Sequence, residues 1–196
     1  MDVVIMHGMS GSPEGNWFPW LKSHLESRGH KVFVPRFPTP ENQTVKNWCT
    51  VLSAEAPLFG TNTILIGHSC GAAYLLGVLM VLPGPVAKSI FVSPFAGKLG
   101  NPHFDALNKD FVERDFDWKK IRRNMGAATL FYGDNDPYVP HACADFVSEK
   151  LGVPLTIIPN GGHLNTESGY TEFHELLKIL KDKPCPPLSN GLYNFV

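Results

Sequence analysis

The residues Gly67-His68-Ser69-Cys70-Gly71 form the pattern G-x-S-x-G. A serine between two glycines can become a nucleophile when a sharp strand-to-helix turn lifts its hydroxyl clear of the backbone. The glycines let that turn form without Cβ clashes, and the N-terminus of the following helix favours negative charge beside the hydroxyl. Alone, the pattern reads equally well as a glycine-rich turn with a capping serine. Its context favours the nucleophile: a strand-like run at 63–66 enters it, and an apolar run from Cys70 leaves it.

A serine hydroxyl is a poor nucleophile and needs a base that is itself held by an acid. Both follow in the order Ser, Asp, His. After a fifth strand-like run comes Gly133-Asp134-Asn135-Asp136-Pro137-Tyr138-Val139-Pro140, and after a sixth comes Asn160-Gly161-Gly162-His163-Leu164. The offset from Gly133 fits G-x-x-D-x-x-V-P and favours Asp136 over Asp134 as the acid. An Asx turn before Pro137 is the other reading of Asp136. Of the eight histidines, His163 alone follows a strand-end Gly-Gly pair, so it is the expected base. Acyl transfer also needs donors for an oxyanion. The expected pair is the backbone N–H of Cys70, directly after the nucleophile, and that of Met9 in the loop Met6-His7-Gly8-Met9-Ser10-Gly11-Ser12-Pro13. This loop lacks G-x-x-x-x-G-K-[ST] and G-x-G-x-x-G, which argues against a phosphate loop or a dinucleotide site. The Cys70 thiol is read as a small packing group, with Ser69 holding the elbow.

These residues must be carried by strands and helices that end at one edge. Six short apolar runs are predicted strands: 3–6, 31–35, 63–67, 89–93, 129–132 and 155–158. Their apolarity is continuous rather than alternating, as in parallel strands covered on both faces. Helices are predicted at 17–27, from Thr39-Pro40-Glu41 to about Ala56, and at 70–82, 118–124, 141–151 and 170–181. Alternating strands and helices give an α/β class: a three-layer α/β/α sandwich around an open, six-stranded, mostly parallel sheet. Sites in such sheets form beyond the C-terminal strand ends, where Ser69, Asp136 and His163 fall. Residues 95–117 form the longest connection without a clear period and are expected to be a loop with a short helix, or a lid. One domain is expected over 1–183, with a Pro-rich tail over 184–196.

The 196 residues carry 43% hydrophobic and 18% charged side chains and a net charge of -1, an ordinary globular balance without the basic excess of a nucleic-acid or acidic-membrane binder. The basic residues Lys119, Lys120, Arg122 and Arg123 follow Asp115 and Asp117 and read as a solvated helix face. Cys49, Cys70, Cys143 and Cys185 are scattered without metal-ligand spacing, which suggests reduced thiols, a cytoplasmic setting and no metal or other cofactor. The run 3–6 is too short for a signal peptide. The uncharged stretch 56–87 is cut by Gly67-His68-Ser69 and Pro83-Gly84-Pro85, so a buried core helix is expected there rather than a membrane span.

Taken together, His7-Gly8, Gly67-His68-Ser69-Cys70-Gly71, Asp136-Pro137 and Gly162-His163 resemble the α/β-hydrolase fold. With the short length and the closing run Thr171-Glu172-Phe173-His174-Glu175-Leu176, the chain looks like the retinoblastoma-binding protein 9 family of small serine hydrolases and its bacterial relatives, up to about Lys181. The resemblance implies a Ser69–Asp136–His163 triad and a sheet without the first two strands of larger α/β-hydrolases. Two departures matter. No L-x-C-x-E occurs, the nearest segment being Leu52-Ser53-Ala54-Glu55, so binding to retinoblastoma protein is not carried over. The segment Asn165 to Tyr170 also lengthens the connection between the candidate base and the last helix.

The function expected is hydrolysis of a small ester, thioester or amide through an acyl-enzyme, with a small-molecule substrate. The alternative from another class is a non-catalytic protein-binding module on a hydrolase scaffold. Candidate pocket residues are Trp17, Phe37 and Phe95, with Phe104, Phe111 and Phe116 of the 95–117 segment. Core packing is the competing role for each.

Overall fold

The computed structural model describes residues 1–181. The tail expected at 184–196, and Cys185 with it, lies outside the described residues. Six strands form one sheet: β1 (Asp2–Met6), β2 (Lys31–Phe33), β3 (Thr63–His68), β4 (Lys88–Val92), β5 (Ala127–Gly133) and β6 (Leu155–Ile158). Their spatial order is β2-β1-β3-β4-β5-β6, and every pairing is parallel. The chain steps outward from β1 to β2 and then crosses to β3 on the other side of β1. This reversal places the ends of β1 and β3 side by side at the edge where open α/β sheets build their sites.

Side-chain alternation divides the core in two. Val3, Ile5, Ile64 and Ile66 point to one face, where they meet Phe18, Leu21 and Leu25 of α1 (Phe18–Glu26) and Leu176, Leu177 and Leu180 of α7 (His174–Lys181). Val4, Met6 and Leu65 point to the other, under α2 (Val45–Glu55), α3 (Cys70–Val81), α4 (Pro102–Val112), α5 (Trp118–Asn124) and α6 (His141–Leu151). Both faces are covered over β1, β3 and β4, which explains their unbroken apolar runs. Helix α3 is buried from Cys70 through Leu79. Its lack of charge is the signature of a core helix, and no described helix is long and apolar enough to cross a membrane. The three described cysteines are free.

Two helix starts and the content of one long connection differ most from expectation. Helix α2 opens at Val45, where the Thr44 hydroxyl accepts from Asn47 N–H at 3.2 Å, and not at Thr39-Pro40. The Thr39 hydroxyl is committed elsewhere: it accepts from Ser10 N–H at 2.8 Å and donates to Gln43 Oε1 at 2.5 Å. The last helix opens at His174 instead of 170, because Thr166–Ser168 form a separate 3-10 turn capped by Asn165 and closed by Gly169 at φ 84. Residues 95–117 hold a full helix, α4. Asn101 Oδ1 caps it by accepting from His103 and Phe104 N–H at 3.0 and 3.3 Å, and Pro102 opens its first turn.

Candidate active site

Ser69 sits between the last residue of β3 and the first of α3, at φ 56 and ψ −123. An L-residue rarely adopts this conformation, and holding it costs about 1–3 kcal/mol that the surroundings must supply. They do so by close approach. A Cβ on Gly67 would lie 2.5 Å from Gly71 O, and a Cβ on Gly71 would lie 2.1 Å from Met6 O. Ser69 N–H donates to Val92 O on β4 at 2.9 Å, and its carbonyl accepts from Ala72 N–H at 2.8 Å. The hydroxyl makes no capping bond to α3, so it stays available in the cleft. Gly71→Ala is expected to cost about 3 kcal/mol or more, because backbone atoms of two elements would have to separate. A urea melt of the variant checks this.

The Asp136 and His163 loops are laced together by three successive residues after β5. Asp134 Oδ1 accepts from Asn160 N–H at 2.7 Å, Asn135 Oδ1 accepts from Gly162 N–H at 2.7 Å, and Asp136 accepts from His163 Nδ1–H at 2.8 Å. Gly133 lets the two loops touch, since a Cβ there would lie 2.2 Å from Gly162 O. The Asp136 side chain is fully buried. Burial alone would raise its carboxyl pKa. The His163 hydrogen bond and charge, with N–H donors from Val139 at 3.0 Å and Tyr138 at 2.9 Å, outweigh burial and hold it below its ordinary value.

His163 is anchored from its backbone as well. Its N–H donates to Ser168 Oγ at 3.1 Å, and its carbonyl accepts from His68 Nε2–H at 2.9 Å. The His68 pKa is pushed down to about 3, first by complete burial and then by the facing His163. It is therefore a neutral donor, with its tautomer set by the carbonyl it meets. His68 is a positioning residue that sequence reasoning missed; its place as the variable residue of G-x-S-x-G gave no signal. The Tyr138 and His163 rings meet edge to face, with their centroids 5.0 Å apart.

The loop carrying Met9 is held by His7. Its Nδ1–H donates to Gly8 O at 2.9 Å, and its Nε2 accepts from Phe37 N–H at 3.1 Å. Burial lowers its pKa, which keeps this neutral pairing. From Ser10 a chain of bonds runs through Thr39 to Gln43, whose Nε2 donates to Leu107 O at 2.9 Å and Asn108 Oδ1 at 3.3 Å on α4. Gln43 thus ties the loop to the helix that walls the cleft. Met9 N–H donates to no acceptor among the described residues, and Cys70 N–H, as the first of a helix, has no partner within it. The Cys70 thiol is buried, which pushes its pKa up, and it packs as expected.

Ser69, His163, Gly8 and Met9 line one cleft of about 370 Å³. Asp136 stands behind His163. Of the expected pocket aromatics only Phe104 lines the cleft, with Leu99, Tyr138 and Val139. Trp17, Phe37 and Phe95 are core residues: Trp17 donates Nε1–H to Leu164 O at 3.0 Å, Phe37 stacks on Trp48 at 4.4 Å, and Phe95 is fully buried. Phe111 is buried against Trp48, and Phe116 packs on Trp118. Among the described residues no group of three or more His, Cys, Asp or Glu could hold a metal.

A parallel six-stranded sheet, an elbow serine after β3, an acid after β5 and a histidine after β6 together describe an α/β-hydrolase. The family model for serine hydrolases matches residues 3–182, and the chain belongs to that family. It is 28% identical to YdeN of Bacillus subtilis over 180 residues, 91% of this chain and 93% of the relative. It is 27% identical to the serine hydrolase RBBP9 of Rattus norvegicus over 189 residues, 95% of this chain and 97% of the relative. The crystal structure of the B. subtilis ydeN gene product superposes with a TM-score of 0.83 at 26% identity, covering 91% of this chain and 96% of that one.

Proposed function

We propose that this serine hydrolase cleaves small carboxylic esters, thioesters or amides through Ser69, His163 and Asp136. The observation that carries the reading is the His163 Nδ1–H bond to a buried, ionised Asp136 at 2.8 Å, beside an elbow serine in the same cleft. That bond puts the Nδ1 proton on the Asp136 side and leaves Nε2 as the free base. His163 Nε2 takes the Ser69 proton as Oγ bonds to the substrate carbonyl carbon. The carbonyl oxygen becomes an oxyanion facing Met9 and Cys70 N–H, which are donors fixed before reaction begins. Collapse breaks the bond to the leaving group, which receives the proton from His163. Water, deprotonated by the same Nε2, then attacks the acyl-enzyme, releases the acid and restores Ser69.

Apolar walls at Leu99, Phe104 and Val139 suit a short aliphatic or aromatic acyl group. Rapid mixing with p-nitrophenyl butyrate is expected to release p-nitrophenolate and to leave a butyryl mass on Ser69 in quenched samples. A folded protein that neither turns over this ester nor becomes acylated would instead behave as a scaffold, and the search would move to binding partners.

A further inference from the structure

The segment after His163, whose Ser168 holds the His163 N–H, also forms one lip of the cleft through Asn165, Thr166 and Glu167. Among the described residues, Glu167, in the 3-10 turn, is the one Asp, Glu, Lys or Arg that lines the cleft. Its Oε2 accepts from the Tyr138 hydroxyl at 2.5 Å and from Asn165 Nδ2 at 3.5 Å. The Tyr138 ring in turn rests on His163. No Lys, Arg or His among the described residues forms an ion pair with Glu167. The carboxylate is thus held in place on the His163 side of the cleft without a counter-charge.

The side matters. His163 protonates the leaving group, so the leaving group departs past His163 and its attached loop, while the acyl chain occupies the remainder of the cleft. We infer that Glu167 sets leaving-group specificity, favouring esters of alcohols that carry a positive charge, such as amino alcohols, and disfavouring anionic ones. This rests on the hydrolase reading above. The carboxylate is exposed, so the preference is modest and is screened by salt.

The test compares butyrylcholine with 3,3-dimethylbutyl butyrate, which replaces the ammonium nitrogen by carbon and keeps the shape. The expected ratio of kcat/KM, cationic over neutral, is about threefold higher in the wild-type protein than in Glu167→Gln, and the difference shrinks in high salt. Glutamine keeps an oxygen for Tyr138, and the ratio cancels any general loss of activity. An equal ratio in the two proteins overturns the inference, as does turnover of p-nitrophenyl butyrate with neither alkyl ester cleaved. Wild-type protein that is folded but inert toward p-nitrophenyl butyrate overturns the hydrolase reading itself, a result distinct from the other two.

Discussion

Ser69→Ala is expected to lower ester hydrolysis by about 10⁴- to 10⁶-fold, the scale seen when a nucleophile is removed from a triad and only oxyanion donors and binding remain. Stability should move by no more than about 0.5 kcal/mol, because the Ser69 hydroxyl caps no helix and alanine keeps the Cβ and its strain. Ser69→Gly separates the two properties further. It should be equally inactive, yet about 1 kcal/mol more stable, because glycine relieves the conformation at φ 56. Urea midpoints and initial rates on the same preparations check both. Substantial activity in either variant would move the nucleophile elsewhere. A less stable Ser69→Gly would deny that the elbow is strained.

Asp136→Asn is expected to cost about 10⁴ in kcat, for a reason the local bonding makes specific. Asp136 Oδ1 accepts from Tyr138 and Val139 N–H, and Oδ2 lies 2.8 Å from His163 Nδ1. An asparagine keeps its oxygen on the two backbone donors and turns its NH₂ toward His163. The imidazole must then accept at Nδ1 and carry its proton on Nε2, where it can no longer take the proton from Ser69. Asp134→Asn changes little, less than about threefold, because an amide oxygen still accepts from Asn160 N–H as the carboxylate does at 2.7 Å. Steady-state rates of the pair decide. Equal losses, or the reverse order, would assign the acid to Asp134.

The sheet was legible because parallel strands buried on both faces leave continuous apolar runs, and all six lie within two residues of their predicted positions. That Ser69, Asp136 and His163 come together was legible because each follows a strand end in a short glycine- or proline-marked motif. Helix α4 was given no bounds, only a short helix in a loop or a lid being expected over 95–117, although Asn101-Pro102 signals its start and Phe104, Leu107 and Phe111 fall at helical spacing. The start of α2 was misplaced because Thr39-Pro40 imitates a cap whose hydroxyl serves Ser10 and Gln43 instead. Apolarity cannot distinguish a core wall from a cleft wall, so Trp17, Phe37 and Phe95 looked like pocket residues while filling the core. What holds His163 was hidden for another reason. Its carbonyl is bonded by His68, 95 residues away, and its neighbour Gly162 by Asn135, 27 residues away; no local pattern records such pairs.

The central claim is that Ser69 is an activated nucleophile. The most direct test is labelling with a fluorophosphonate, which reacts with activated serine hydroxyls, followed by peptide mass mapping, with Ser69→Ala as control. The expected result is one phosphonylated residue, Ser69, and no label on the alanine variant. A label on another residue, or none on folded wild-type protein, would contradict the claim.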